Sequence, residues 1–317
     1  GVNLMDLEEV MGLQELENRK FKILLTYVGG QAGQSVIKMI NRSQYRERIE
    51  IIGVDADKYA AGLVWVDKPY KVSKFPDCKS ELKKIIEKEK PHLILPTGEE
   101  DLSFLSEFEN SYMCSKELIE LCQNKYEFYK HYKTFYGSRL PQTELSWEEL
   151  ELPMVQKPIR GRGSRGFELL ENAGHIAAVQ NKPMTIYQEY LPGQEYTIDV
   201  LLTENKKIIV PRKRVNVKAG NSICGKIEIN RDIISFLQNF FQDQSYRGPL
   251  CVQMKEDKNG RLKLTEINPR FGGGSIFTTM SGINFIDVIL SEHFGDDIEL
   301  DEPSEITITR YWDEIIL

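Results

Sequence analysis

The chain of 317 residues is 41% hydrophobic and 28% charged, a balance typical of a soluble globular protein with room for two domains. Its formal net charge of −7 argues against an electrostatic nucleic-acid binder, which would usually be basic. No apolar run approaches the roughly 20 residues that cross a bilayer, and the five cysteines form no CxxC pair. We therefore expect a cytoplasmic protein with free thiols and with no nucleic-acid or membrane partner; the acidic balance does not exclude small anionic ligands.

The first part of the chain alternates between strand-like and helical segments. Residues 1–20 are acidic and charged, and form an N-terminal extension or an expression remnant. Residues 21–28 are a compact apolar run before three glycines at 29–33, which predicts a buried strand, a turn and then a helix. Two further strands are predicted at residues 49–55 and 91–96, and a helix between them is predicted at residues 80–89. This alternation predicts an α/β domain with a parallel sheet over residues 21–114.

A charged helical stretch at about residues 115–135 leads into a region of different texture, in which short strands and turns dominate from about residue 138. The predicted strands are at residues 153–158, 167–170, 185–190, 196–202, 207–210, 250–255 and 262–268. Such a mixture predicts an α+β domain built on antiparallel sheets over residues 115–317.

A glycine-rich loop links two of these strands. Gly161, Gly163 and Gly166 fit the pattern GxGxxG, but a dinucleotide fingerprint has a helix after the loop, whereas residues 167–170 resemble a strand. In protein kinases the phosphate-binding lysine lies on a later strand, whereas Lys157 precedes this loop. The pattern indicates a strand–flap–strand hairpin whose backbone amides can approach phosphate, although an ordinary surface hairpin would carry the same glycines.

The last predicted hairpin contains Asn259-Gly260, the preferred pair for a two-residue type I′ turn. With that turn Gln253 lies directly opposite Glu266, and Asn268 shares the face of Glu266 because it is two residues further on. Three oxygen-bearing side chains on one face suit Mg²⁺, which prefers hard oxygen ligands and often bridges protein to nucleotide phosphates. A loop of odd length would break this register, and a polar hairpin that faces solvent is the alternative interpretation.

Together these motifs resemble those of the ATP-grasp enzymes, in particular the carbamoyl-phosphate-synthase-like ligases. The resemblance is carried, in family order and spacing, by Lys157-Pro158, the loop at 161–166, residues 188–191, Glu195 and residues 266–270. It extends from about residue 21 to the end of the chain. It implies an α/β pre-ATP-grasp domain at residues 21–114 and an ATP-grasp domain at 115–317, with a flap lobe at about 124–190 and a metal-site lobe at about 191–317.

The resemblance also implies a role for each matching residue. The residues that match the ATP site are Lys125 and Lys157 at the phosphates, Gly161, Gly163, Ser164 and Gly166 in the lid, Gln188, Glu189, Tyr190 and Leu191 at the adenine hinge, and Glu195 at the ribose. Gln253, Glu266 and Asn268 match the metal ligands, and Arg270 matches the catalytic arginine that acts with Lys157 at the acyl-phosphate centre. The implied cofactors are ATP and Mg²⁺, or Mn²⁺ in its place. Many relatives have glutamate where this chain has Gln253, so metal affinity is expected to be modestly weaker.

The implied function is a carboxylate–amine ligase that activates a carboxylate as an acyl phosphate and joins it to an amine, releasing ADP and phosphate. Its substrates would be amino acids, peptides or small metabolites, and a homodimer is a common family outcome. Two alternatives remain open: a regulatory ATP-binding protein with the same fold and no turnover, and a nicotinamide-dependent dehydrogenase suggested by the glycines at 29–33.

The substrate is expected near the glycine turn at 29–33 and the loop at 97–101, because ligands bind at the carboxyl ends of parallel strands. In that loop Glu99 or Glu100 could hold a substrate amine, although an acid at a helix N-terminus is the more common role. Asp199 is expected close behind Glu195. A charged strand end, which could also contact phosphate or substrate, is expected at Arg212, Lys213 and Arg214.

Overall fold

The structure is a computed structural model that describes residues 19–161, 166–179, 182–218, 221–242 and 244–317. Its strands form three sheets, the first of them parallel and the other two antiparallel. No helix in these residues is both long enough and apolar enough to cross a membrane.

The first sheet has four parallel strands in the order β3-β2-β1-β4. Its strands are β1 (Phe21–Thr26), β2 (Ile49–Asp55), β3 (Lys68–Lys71) and β4 (Leu93–Leu95), and the helices around it are α1 (Gln31–Asn41), α2 (Ala61–Trp65), α3 (Lys79–Glu89) and α4 (Leu102–Leu105). Leu24 belongs to one core with Leu82 of α3, while Ile23 and Leu25 belong to another with Ile37 of α1. Both faces of β1 are thus covered, which is why its sequence is a continuous apolar run.

The strand order places a crevice at one end of this sheet. Because β2 and β4 lie on opposite sides of β1, the loops after β1 and β4 flank the crevice. Thr26 Oγ1 donates to Asp101 Oδ2 at 2.6 Å, and Thr97 Oγ1 donates to the carbonyl oxygen of Thr26 at 2.6 Å, so the two loops are tied together. In the turn after β1 a Cβ at Gly33 would lie 2.4 Å from the carbonyl oxygen of Tyr27, so this close approach requires glycine.

The helical stretch predicted at about residues 115–135 is confirmed, and it consists of two helices, α5 (Lys116–Gln123) and α6 (Lys125–Tyr136), separated by a break that was not predicted. Asn124 between them is extended, and its side chain accepts a hydrogen bond from the backbone amide of Glu127 at 3.0 Å. An asparagine that caps a new helix also ends the preceding one. The helical pattern of charged residues continues on both sides of this cap, so the pattern does not reveal the break.

The second sheet is a small antiparallel lobe in the order β5-β8-β6-β7. Its elements are β5 (Thr143–Glu144), β6 (Met154–Pro158), β7 (Glu168–Leu170), α7 (Ala173–Ala178) and β8 (Thr185–Glu189). Met154, Leu170 and Tyr187 form its core. β6 pairs with β7 across the glycine-rich loop, which is the predicted strand–flap–strand arrangement.

The third sheet has six antiparallel strands in the order β13-β12-β9-β10-β11-β14. Its strands are β9 (Glu195–Leu202), β10 (Lys207–Lys218), β11 (Asn221–Ile227), β12 (Gly248–Glu256), β13 (Leu262–Asn268) and β14 (Thr307–Thr309). The remaining helices are α8 (Arg231–Phe240), α9 (Ser275–Met280) and α10 (Phe285–Phe294), and single 3₁₀ turns lie at Arg46–Arg48, Gly137–Arg139 and Trp147–Glu149.

One face of the six-stranded sheet is apolar and buried. Ile198, Val252 and Met254 share a core with Phe128 of α6 and Phe240 of α8. Because side chains alternate along a strand, the intervening positions turn to the opposite face, where the candidate site lies. The predicted fold class, an α/β domain with a parallel sheet followed by an α+β domain of two lobes, is confirmed, and the residue numbers of the domain boundaries stay predictions.

The two-residue turn predicted at Asn259-Gly260 is wrong. A type I′ turn needs positive φ at both central residues, but here only Gly260 has it, at 77°. Glu256 pairs with Leu262, and the backbone amide of Asp257 donates to the Arg261 carbonyl at 2.9 Å, so three residues, 258–260, form the loop. The carboxylate of Asp257 accepts from the amides of Asn259 and Arg261 at 2.8 and 3.0 Å, which stabilises the longer loop.

This odd-length loop does not destroy the predicted pairing, because a β-bulge follows it. Met254 pairs with Leu264 but Gln253 pairs with Glu266, so Thr265 is an extra residue in β13. Thr265 Oγ1 donates to the carbonyl oxygen of Gln253 at 3.0 Å and holds the bulge in place. The loop and the bulge shift the register by one residue each in opposite senses, and Gln253 again faces Glu266.

The Asp257→Ala substitution should lower the free energy of unfolding by about 1–3 kcal/mol, because it removes a charged acceptor from two loop amides. Urea denaturation monitored by circular dichroism measures this change. The control is Lys258→Ala in the same loop, an exposed position where the change should stay within about 0.5 kcal/mol. Equal effects of the two substitutions would contradict this account of the loop.

Candidate active site

One row of residues crosses four strands on the polar face of the six-stranded sheet. Arg212, Thr197, Gln253 and Glu266 are direct neighbours in that order. Opposed residues share a face, so Gln253 and Glu266 point to the same side, and Asn268 follows Glu266 two residues on. The register therefore brings the three predicted metal ligands together at one end of the row.

The predicted metal ligands are one carboxylate and two amides. Glu266 is half-buried and Asn268 is buried, and both line a cleft with Lys125 and Arg270. Within the described residues, no three His, Cys, Asp or Glu side chains converge on a possible metal position. The donor chemistry fits a hard cation such as Mg²⁺ or Mn²⁺ that takes its remaining ligands from phosphate and water, and it does not fit a nitrogen- and sulfur-bound zinc site.

Lys157 on β6 is a half-buried lysine near Glu266. Burial lowers the pKa of Lys157 to about 8, the carboxylate of Glu266 opposes this shift, and the ammonium of Lys125 adds to it. Lys157 Nζ makes no hydrogen bond or ion pair with the part of the chain that the structure describes. A desolvated ammonium without a fixed partner is available to an anionic ligand such as a phosphate.

Lys125 connects the first turn of α6 to the base of the glycine-rich loop. Its Nζ donates to the carbonyl oxygen of Gly161 at 2.9 Å, and its backbone amide donates to that of Ile159 at 3.1 Å. Gly161 has φ of 138° and Gly166 has φ of 75°, which are conformations that favour glycine. The other predicted lid residues, Gly163 and Ser164, lie outside the described residues.

The side chains of the first two predicted hinge residues are engaged within the protein. Gln188 is buried, and its Nε2 donates to Thr143 Oγ1 at 2.8 Å. The carboxylate of Glu189 accepts from Lys263 Nζ at 2.7 Å and from the backbone amide of Gln142 at 3.1 Å. Glu189 thereby braces the flap lobe against β13, and neither side chain is left to contact a nucleotide base.

Beyond β8 the chain passes along the predicted adenine and ribose positions. The Tyr190 ring centroid lies 5.9 Å from Lys255 Nζ, and the backbone amide of Leu191 bonds to no described residue. Glu195, at the start of β9, forms an ion pair with Arg214 at 2.6 Å. The Leu191 amide is therefore available to donate a hydrogen bond to the edge of a base. The carboxylate of Glu195 could accept from a ribose hydroxyl only while it also binds Arg214.

Arg270 joins the cleft to the first domain. Its Nη2 donates to Glu99 Oε2 at 2.9 Å, and its Nη1 donates to the carbonyl oxygen of Phe271 at 3.0 Å. Burial would lower the pKa of Arg270, but Glu99, together with Cys251 and Glu266, outweighs burial, and the pKa is raised. The loop after β4 thus places an acid directly against the predicted catalytic arginine.

The expectation of a charged strand end is wrong for Arg212. This residue is 1% exposed, and its Nη2 lies 3.1 Å from both carboxylate oxygens of Asp199. Thr278 Oγ1 also donates to Asp199 Oδ2, at 2.6 Å. The turn after Arg270 covers the guanidinium, since a Cβ at Gly274 would lie 2.6 Å from Arg212 Nη1. Sequence reasoning missed this burial because the covering turn is distant in the chain.

Two family models match the chain. Residues 23–119 match the model described as "PylC-like, N-terminal domain". Residues 181–312 match the model described as "ATP-grasp in the biosynthetic pathway with Ter operon". The first match covers the parallel sheet, and the second covers the six-stranded sheet with the predicted metal ligands.

Among proteins of known function, the D-aspartate ligase of Enterococcus faecium (strain Aus0004) is 24% identical over 243 residues. The match covers 62% of this chain and 58% of that ligase, so the chain spans less than two thirds of its relative's length.

Several solved structures are similar to this one, including those of two enzymes. The L-amino acid ligase from Bacillus licheniformis superposes with a TM-score of 0.67 at 16% identity, over 86% of this chain and 74% of that one. A second structure is the biotin carboxylase domain dimer of Hydrogenobacter thermophilus 2-oxoglutarate carboxylase in complex with MgADP, ADP and bicarbonate. It superposes with a TM-score of 0.70 at 13% identity, over 90% of this chain and 72% of that one. At such identities the likeness concerns the fold. The family models assign residues 23–119 to a PylC-like N-terminal domain and residues 181–312 to an ATP-grasp domain, and the fold is similar to that of these two enzymes.

Proposed function

We propose that this chain is an ATP- and Mg²⁺-dependent ligase that activates a carboxylate as an acyl phosphate and joins it to an amine. The observation that carries the proposal is the grouping of Glu266, Asn268, Lys125 and Arg270 around one cleft, with Lys157 close to Glu266. The relatives named D-aspartate ligase and L-amino acid ligase support substrates of the amino-acid, peptide or small-metabolite class. A cytoplasmic location, Mn²⁺ as a substitute ion and a homodimer belong to the same proposal.

In this proposal the flap lobe and the six-stranded sheet hold the nucleotide from two sides. Lys125 and Lys157 bind phosphate oxygens, the glycine loop covers them, and the Leu191 amide meets the adenine edge. Gln253, Glu266 and Asn268 would hold Mg²⁺, which neutralises charge on the transferred phosphoryl group. The half-buried Lys157 is well suited to its role, because an ammonium with few water contacts gains more from an anion than an exposed one does.

The chemistry needs positioning and charge stabilisation more than a protein nucleophile. A substrate carboxylate oxygen attacks the γ-phosphorus, a new P–O bond forms, and the bond to ADP breaks. The amine then attacks the acyl carbon, a C–N bond forms, and phosphate leaves. Arg270 stabilises the oxyanion of the tetrahedral intermediate, and closure of the flap excludes water that would hydrolyse the anhydride.

Glu99 is proposed to hold the amine. An ammonium cannot attack until it loses a proton, so an acceptor close to Arg270 is required. Glu99 lines the cleft together with Glu266, and its carboxylate lies 2.9 Å from Arg270. Since Glu266 is proposed to bind metal, Glu99 is assigned the substrate ammonium and its proton.

A second candidate function is an ATP-binding regulatory protein without turnover. The ion pairs that engage Arg270 with Glu99 and Glu195 with Arg214 favour it, because both predicted contact residues already have partners. The dehydrogenase interpretation is not retained. Gly33, from the turn that prompted it, packs against the carbonyl of Tyr27, and the turn lies in the PylC-like domain.

Release of ADP should depend on a particular pair of substrates. With ATP and Mg²⁺, a screen of amino acids and other carboxylates against amines should give ADP and phosphate only for certain pairs. Glu266→Ala and Lys157→Ala should each lower the rate by roughly 100-fold or more, because each removes charge stabilisation from the phosphoryl group. Glu107→Gln, which alters an exposed acid paired with Lys116, should leave the rate unchanged. ADP formation that is independent of every pair would contradict the ligase, and ATP binding without turnover would favour the regulatory protein.

The affinity for ATP should fall as pH rises above about 8. The pKa of Lys157 is about 8 in the ligand-free protein, and a bound phosphate raises it, so binding at higher pH requires proton uptake. The Kd of a non-hydrolysable MgATP analogue, measured by calorimetry, should therefore rise towards about tenfold per pH unit. In Lys157→Arg the guanidinium does not titrate in this range, so the Kd should be nearly flat. The same pH dependence in both proteins would contradict the assignment of phosphate binding to Lys157.

A further inference from the structure

The turn at Gly272–Gly274 lies against two guanidinium groups that the proposed reaction does not use, one from the buried Arg212 and one from the half-buried Arg310. Arg212, on β10, lies beneath this turn and is ion-paired with Asp199. Arg310, which follows β14, donates from Nη2 to the carbonyl oxygen of the middle residue of the turn. Both guanidiniums also lie over the ring of Phe277, at 5.5 and 5.1 Å from its centroid. Two arginines from different strands thus converge on one turn.

The charges at this place do not balance. Asp199 is shared by Arg212 and Thr278, so its two oxygens are already hydrogen-bonded. Burial lowers the pKa of Arg310, the charge of Arg212 lowers it further, and Asp199 opposes the shift. Burial and the charge of Arg310 likewise lower the pKa of Lys38 on α1. Two guanidiniums against one carboxylate, with the Lys38 ammonium within electrostatic range of Arg310, leave an excess of positive charge.

Several polar atoms here have no partner. Among the described residues, Arg212 Nε, Arg310 Nε, Ser275 Oγ and Thr279 Oγ1 are buried and make no hydrogen bond. Ser275 is 1% exposed and directly follows the turn, and Thr279 lies four residues further along α9, on the same side of the helix. Buried donors without partners cost free energy in a native protein, so such a group of them points to a missing polar ligand.

The position of this group relative to the metal end of the cleft limits the size of that ligand. Arg212 and Glu266 are the two ends of one row across four strands, which at the usual strand spacing are roughly 14 Å apart. A small molecule with a reacting group at one end and an anionic group at the other would fit between them.

We propose that Arg310, supported by Arg212 and the hydroxyl of Ser275, binds a second, unreacting carboxylate of the ligase substrates. The inference rests on the proposed function, and it narrows the substrate class to molecules that carry a free carboxylate, such as amino acids. The excess of positive charge suits an anionic group such as a carboxylate. This carboxylate belongs either to the amine substrate or to a dicarboxylate of which only one group is activated.

Binding of individual amino acids tests the proposal directly. The proteinogenic amino acids and D-aspartate are titrated singly into the full chain with Mg²⁺ and a non-hydrolysable ATP analogue, and the Kd is measured by calorimetry. At least one should bind, and Arg310→Gln should raise its Kd roughly 10- to 100-fold while leaving the Kd of the nucleotide analogue unchanged. Arg310→Lys should recover part of the affinity. Arg231→Gln, which alters an exposed arginine paired with Glu302, should have no effect.

Amide analogues of the amino acid that binds separate the two sources of the carboxylate. Loss of affinity on conversion of the α-carboxylate to an amide assigns Arg310 to that group, and loss only with the side-chain amide assigns it to a dicarboxylate. The proposal is overturned if no amino acid binds the wild-type protein, or if Arg310→Gln binds it equally well. If a substrate pair supports ADP release and its KM values are unchanged by Arg310→Gln, the carboxylate site is also overturned, while the proposed ligase function still stands. Arg310-dependent binding without any turnover would uphold the carboxylate site and reject the ligase.

Discussion

The hydrogen bond from Thr265 to the Gln253 carbonyl holds the bulge on which the geometry of the cleft depends. A three-residue loop alone would pair Gln253 with Thr265 and turn Glu266 and Asn268 to the buried face, because a slip of one residue reverses every side chain. The extra residue in β13 reverses the slip and returns both to the polar face. A local defect in the ladder is therefore what presents a carboxylate and two amides to the same side of the sheet.

The charged groups of this face are arranged in fixed pairs. Glu195 binds Arg214, Asp199 binds Arg212, and Glu99 of the first domain binds Arg270. Such pairs hold side chains in place before a ligand arrives, which reduces the reorganisation that binding requires. Lys157 and Arg310 differ from this pattern: within the described residues Lys157 makes no hydrogen bond or ion pair, and Arg310 is bonded to a backbone carbonyl beside unpartnered donors. They lie in different parts of the site, and we assign them to different anions, a phosphate and a carboxylate.

Local patterns in the sequence were sufficient for most strands, whereas the pairing of Gln253 with Glu266 was predicted from a turn that does not form and is restored by the bulge at Thr265. The strands predicted at residues 49–55 and 262–268 have the observed bounds, because apolar runs between turn residues are a local signal. The turn at Asn259 was mispredicted because two hydrogen bonds to the Asp257 carboxylate outweigh the preference of the Asn-Gly pair. The break at Asn124 was missed because helical periodicity continues on both sides of it.

What the sequence could not supply are contacts between distant segments. Arg270 and Glu99 are 171 residues apart, and the contact of Arg310 with the turn after Arg270 joins a strand end to a loop 37 residues away. Nothing in the residues next to Arg212 distinguishes an exposed strand end from a buried ion pair, because its burial depends on a turn some 60 residues later in the chain. Motif order placed the candidate site on the chain, while the charge pairing within it required the fold.

The most direct test of the account is the position of a bound metal ion. Crystals of the protein with Mn²⁺ and a non-hydrolysable ATP analogue, measured near the manganese absorption edge, would locate the ion from its anomalous signal. The account predicts a peak within about 2.5 Å of oxygens of Glu266 and Asn268, on the side of the sheet to which Gln253 points. A peak bound by other residues, or Gln253 and Glu266 on opposite sides of the sheet, would contradict it.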